Sequence, residues 1–69
     1  MRVDAYHSGI DGHPRGPLLL VPVGAEVLPP HPEGKSRRWE FWKEVRVNAI
    51  TKRVAQAKAD LETLGFYIQ

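Results

Sequence analysis

Two clusters hold residue types that do chemistry. Asp4, His7, Asp11 and His13 combine carboxylates with imidazoles, ordinary ligands for a divalent cation. Their spacing matches no metal-site pattern, and the glycines and prolines around them supply no rigid element to hold a ligand set. Solvated loop residues are the simpler reading. Ser8 beside His7 is not a nucleophile with its base, because adjacency in sequence does not supply triad geometry. Gly34-Lys35-Ser36 copies the end of a phosphate-binding P-loop, but the glycine needed five residues earlier is Pro29, which has no N–H to offer a phosphate. No catalytic residue, metal centre or cofactor site is assigned, no small-molecule substrate is evident, and a non-enzymatic role is expected. His31 is given no role.

The second cluster is basic and aromatic. Lys35, Arg37, Arg38 and Lys43 are interleaved with Trp39, Phe41 and Trp42, with Arg46, Lys52 and Arg53 following. Cations that attract phosphate and rings that stack on bases are the residue types a nucleic-acid surface needs. Glu40 and Glu44 interrupt the patch, and no nucleic-acid motif frames it. The same residues serve a protein interface, where aromatic and arginine side chains are enriched at hot spots. The expected function is a protein-interaction or accessory module, possible partners including a second copy of the chain. Trp42, Arg37, Arg38, Lys43 and Arg46 would carry the contact. The alternative is a small nucleic-acid-binding domain across residues 35–53, using Arg37 and Arg38 with an anion site at Lys35, Lys52 and Arg53. The proline-rich stretch 29–32 could also serve as a ligand for an aromatic groove elsewhere.

The elements that must position these residues follow from periodicity. Val47, Ile50, Val54, Ala57, Leu61 and Leu64 recur at steps of three and four, which places them on one stripe of a helix over residues 49–64. Asn48 suits the N-cap and Gly65 the left-handed position beyond the end, with Phe66 returning onto Leu61. Lys52 and Arg53 lie near the start of this helix, and Asp60 and Glu62 near its end. The macrodipole prefers the reverse, at about 0.3–1 kcal/mol per charge, less once screened. Residues 39–47 alternate, with Trp39, Phe41, Val45 and Val47 on one side and Glu40, Trp42, Glu44 and Arg46 on the other. That pattern predicts a strand with Trp42 on its polar face. Extending the helix back to Ser36 would throw Phe41 and Val45 off the stripe.

Residues 1–34 hold all six prolines and five of the six glycines, with two basic against four acidic side chains; residues 35–69 hold eight basic against four acidic. The first half therefore reads as loops and short strands: an edge strand at 1–6, a loop at 7–17, a buried strand at 18–21 and a returning strand at 26–28. A final edge strand is expected at 66–68. The sum is one α+β domain over residues 1–69, a small, mainly antiparallel sheet of three to four short strands with a C-terminal helix on one face. Its expected core is Leu18, Leu20, Val27, Trp39, Phe41, Val45, Val47, Ile50, Val54, Leu61, Leu64 and Phe66. At 69 residues a single core is thin, which makes a homodimer reasonable. There are no cysteines, so disulfides and thiolate metal sites are excluded. The longest apolar run is too short and too interrupted by proline to span a bilayer. No membrane association and a cytoplasmic location are expected.

Overall fold

Val3 and Ala5 alternate with Arg2, Asp4 and Tyr6, and this short pattern makes a strand, β1 (Arg2–His7). Strand β2 is Leu19–Pro22, β3 is Glu40–Arg46 and β4 is Tyr67–Ile68. Two helical segments, α1 (Val47–Ile50) and α2 (Val54–Thr63), lie between β3 and β4. These elements come from a computed structural model that describes residues 1–8, 17–34 and 37–69. The loop expected at 7–17 falls mostly outside them, as do Lys35 and Ser36.

The four strands form one antiparallel sheet in the order β3-β1-β2-β4, so the fold is α+β as the periodicities require. β1 is not the edge strand expected from its weak pattern. It sits inside the sheet, paired with β2 on one side and β3 on the other, and small Ala5 is buried there because both neighbours flank it. β2 ends at Pro22, where a residue that cannot donate does least harm. No strand forms at 26–28; Val27 is 84% exposed, since β4 rather than this segment occupies the free side of β2.

Register assigns the two faces. Val3, Ala5, Leu20 and Tyr67 share one face and pack with Val47, Ala57 and Leu61 from the helices, with Trp42, Val45, Ile50 and Val54 around them. Leu19 and Val21 alternate with Leu20 and point the other way, yet both are as fully buried. β2 is therefore shielded from water on both faces at Leu19, Leu20 and Val21. Among the described residues of the connection that leaves β2, Gly24 is tied to this second face: the Asp4 carboxylate accepts from its N–H at 3.2 Å.

The expected single helix is two. Thr51 leaves the helix at φ −138°, ψ 147°, and its hydroxyl oxygen accepts from the Arg53 N–H at 3.1 Å. A threonine hydroxyl that bonds the nearby backbone offers an alternative to the helical ladder, and here the side chain is also buried. Asn48 lies inside α1 rather than capping it. The Val47 N–H at the start of that segment donates instead to the Met1 carbonyl at 3.0 Å. The stripe survives the break except at Leu64, which is 60% exposed because the helix has ended.

The stop follows the sequence. Gly65 has φ +83°, and its N–H donates to the Asp60 carbonyl at 3.1 Å. A Cβ built there would meet nothing within 4 Å, so a side chain at this position would be opposed by backbone conformation alone. Gly65→Ala is expected to cost about 1–2 kcal/mol, the penalty for an L-residue in the left-handed region. Gly65→Asn should recover part of it, since asparagine tolerates that region better. Urea unfolding of the three proteins measures the difference.

Candidate functional site

The sheet has two edges. β4 is only two residues long, whereas β3 has seven, and β1 pairs with one side of it. The other side of β3 carries no strand among the described residues. Backbone N–H and C=O groups along such an edge can accept another strand.

The register of β3 changes within its length. Lys43 lies opposite Ala5 and Phe41 opposite Tyr6, so Trp42 is an extra residue with no partner on β1. A bulge of this kind turns side chains on either side of it away from strict alternation. It reverses two expectations. Trp42, expected on the polar face, is partly buried against the helix-side core, with Lys43 Nζ 4.2 Å from its ring centroid. Phe41, expected in the core, is 53% exposed on the opposite face and meets Tyr6 edge-on, with centroids 5.5 Å apart at 80°. Phe41, Tyr6, Leu19 and Ile68 are successive partners across β3, β1, β2 and β4. They form one apolar row across the sheet, buried at its centre and open where it reaches the β3 edge.

The remaining residues singled out from sequence are dispersed. Arg37 pairs with Glu33 at 3.5 Å, both partly exposed, and Arg38 is exposed. Trp39 turns away from them: its indole N–H donates to the Pro29 carbonyl at 3.0 Å and its ring lies 4.3 Å from that of His31. Arg46 lies opposite Arg2 at one end of the ladder. Lys52 and Arg53 line a shallow cleft with Ile50, Thr51 and Gln69, and Gln69 bonds Leu18 at the other end. The basic residues of 35–53 thus do not share one surface, and Lys35 lies outside the described residues.

Asp4 and His7 do not converge either. They occupy opposite faces of β1, Asp4 bonding Gly24 and His7 buried on the helix side. Asp11 and His13 lie outside the described residues, among which no group of three or more potential metal ligands gathers. No helix among them is long and apolar enough to cross a membrane.

Sequence reasoning missed the part played by Arg2 and Lys58, which line a cleft with Arg46. It also missed an exposed apolar hollow of about 420 Å3 formed by Val27, Leu28, Pro29, Pro30, Leu64 and Phe66 with Gly65. The signal for the first was available in principle: arginines flank both paired strands at positions that an antiparallel register brings together. Neither a protein-family model, nor a curated protein, nor a solved structure matches this chain.

Proposed function

We propose that this chain is a non-catalytic protein-interaction module that docks an extended segment of a partner along the edge of β3 that pairs with no strand among the described residues. The observation that carries the reading is the apolar row Ile68–Leu19–Tyr6–Phe41, which stops at that edge with Phe41 open to solvent. A fifth strand would satisfy the outward backbone groups of β3 and bring a side chain over Phe41 to continue the row. Strand addition of this sort takes affinity from main-chain hydrogen bonds and specificity from alternate side chains.

Glu40, Lys43, Glu44 and Arg46 stud the same edge with both signs of charge. Such charges, together with the bulge, guard an edge against indiscriminate pairing, so the partner strand has to present complementary charges. A second copy of this chain is the simplest candidate, its own β3 meeting the first about a two-fold axis. A nucleic-acid surface over 35–53 has weaker support, because its cations are divided between the two ends of the sheet.

The test uses Phe41→Lys, a change at an exposed ring that leaves the helix-side core untouched. Wild-type protein is expected to form dimers in sedimentation equilibrium, or to retain a defined protein from the native cell, and the variant is expected to lose that association while keeping its circular dichroism spectrum. Sedimentation as a monomer at every concentration, with no retained protein sensitive to Phe41→Lys, would overturn the reading. Retention on heparin that falls steeply with salt, in the absence of any protein partner, would transfer support to nucleic acid.

A further inference from the structure

Every residue from Leu28 to Pro32 is a proline or precedes one. A proline fixes its own φ near about −65° and steers the residue before it into the extended region. The stretch is therefore held close to a polyproline II helix, which has about three residues per turn. Residues 27–31 belong to no helix or strand, and their burial has that period. Leu28 is half-buried and His31 buried, whereas Val27, Pro30 and Glu33 are exposed; on the third edge Pro29 is half-buried and Pro32 exposed. One edge of a three-sided rod lies against the protein, and the other two face outward.

The inward edge is anchored. The Trp39 indole N–H holds the Pro29 carbonyl, and its ring lies against His31. His31 in turn accepts from the Glu33 N–H at Nδ1 and from the Gly34 N–H at its carbonyl. What these anchors leave outward is apolar: Val27 is 84% exposed, and with Pro30, Leu64 and Phe66 it lines the hollow described above. The carbonyls of Val27, Leu28 and Pro30 accept no hydrogen bond among the described residues. Glu26, next to Val27, is exposed and has no ion-pair partner among them.

We propose that residues 26–32 are a presented ligand for an aromatic-lined groove, with a cation at its rim, on another protein. Grooves of this kind take segments with the P-x-x-P spacing, which is that of Pro29-Pro30-His31-Pro32. Partner rings would pack on Val27, Pro30 and Pro32, ring N–H or hydroxyl groups would donate to the open carbonyls, and the cation would meet Glu26. The anchors matter because a segment already held in its bound shape loses less entropy on docking than a free peptide does. The proposal does not depend on a strand adding to β3.

The experiment offers the full chain, fluorescently labelled, to an array of purified SH3, WW and EVH1 domains at low and moderate salt. Each positive titration is repeated with a synthetic peptide of residues 25–34. The expected result is at least one domain with a Kd below about 100 μM for the full chain, and about tenfold weaker binding of the peptide. Val27→Glu and the double variant Pro30→Ala/Pro32→Ala, all at exposed positions, should each weaken binding of the full chain about tenfold or more with the circular dichroism spectrum unchanged. Glu26→Lys should weaken it about threefold at low salt and less at moderate salt. Trp39→Phe, which keeps a ring on His31 but loses the Pro29 bond, should bring the full chain toward the affinity of the peptide.

No domain binding below about 1 mM would overturn the proposal, as would unchanged affinity in Pro30→Ala/Pro32→Ala or in Glu26→Lys at low salt. A peptide that binds as well as the full chain or better would overturn it too, because the anchors would then hide the segment instead of presenting it. Binding lost in Phe41→Lys but kept in Val27→Glu would assign the contact to the β3 edge and overturn it as well.

Discussion

Replacing Leu20 with alanine is expected to lower stability by about 2–5 kcal/mol, the cost of a large cavity in a packed core. Leu20 is fully buried at the centre of the cluster that joins β1, β2 and β4 to the helices, and no neighbouring segment can collapse into its place without moving the sheet. A chain of 69 residues has a total stability of about 3–10 kcal/mol at the usual per-residue range. The substitution therefore removes a large share of it, and the thermal midpoint should fall by at least about 10 °C. Leu64→Ala, at an exposed leucine of the same type, should stay within about 0.5 kcal/mol of wild type. Urea denaturation of both variants makes the comparison, and equal midpoints would contradict the assignment of faces.

The second large effect concerns the connection between β2 and β3. Trp39→Ala should cost about 2–4 kcal/mol, below the full cost of a completely buried tryptophan because the ring is half-buried. Two attachments go with the ring: the hydrogen bond from its indole N–H to the Pro29 carbonyl and its contact with His31. His31 has its own constraint. Nδ1 accepts from the Glu33 N–H at 3.0 Å, so in the neutral ring the proton sits on Nε2, which is buried with no hydrogen-bond partner among the described residues. An unmet donor of that kind costs about 1–3 kcal/mol, and the neighbouring tryptophan helps to keep water from it. Opening the site relieves this cost, which is why the net loss should fall short of the area argument. Trp39→Phe keeps a ring on His31 and loses only the hydrogen bond, about 1 kcal/mol. Amide exchange should accelerate at residues 27–34 in Trp39→Ala and much less in Trp39→Phe; unchanged exchange in both would show that the anchor lies elsewhere.

Periodicity was a sound guide where one rule operated alone. The apolar stripe from Val47 to Leu61, the glycine stop at Gly65 and the strand at 40–46 all follow from spacing. It failed where a second effect intervened. One bulge residue in β3 exchanged the surroundings of Phe41 and Trp42, and no alternation pattern announces a bulge. Thr51 broke the helix through a local hydroxyl contact, although helix propensity would carry the chain through. β1 looked marginal because Ala5 contributes little hydrophobicity, yet a small residue is what an interior strand can bury beneath a helix. Val27 shows the converse: a β-branched residue in a plausible strand setting stays in solvent because the available position beside β2 was taken by β4. For the candidate site, the edge residues were legible as a class, but which ring faces outward was not. The cleft of Arg2, Arg46 and Lys58 depends on register and on helix placement, and neither can be read from one segment.

The position of β1 between β2 and β3 also constrains how the molecule comes together during synthesis. β1 leaves the ribosome before the other strands and can pair with β2 once residues 19–22 have followed, but its other flank stays bare until residues 40–46 emerge. Pairings between segments so far apart are slow to form, since chain entropy is lost before contacts compensate. A two-stranded ribbon is marginally stable at best on its own, so the pairing of β1 with β2 becomes secure only when β3 and the helices have followed.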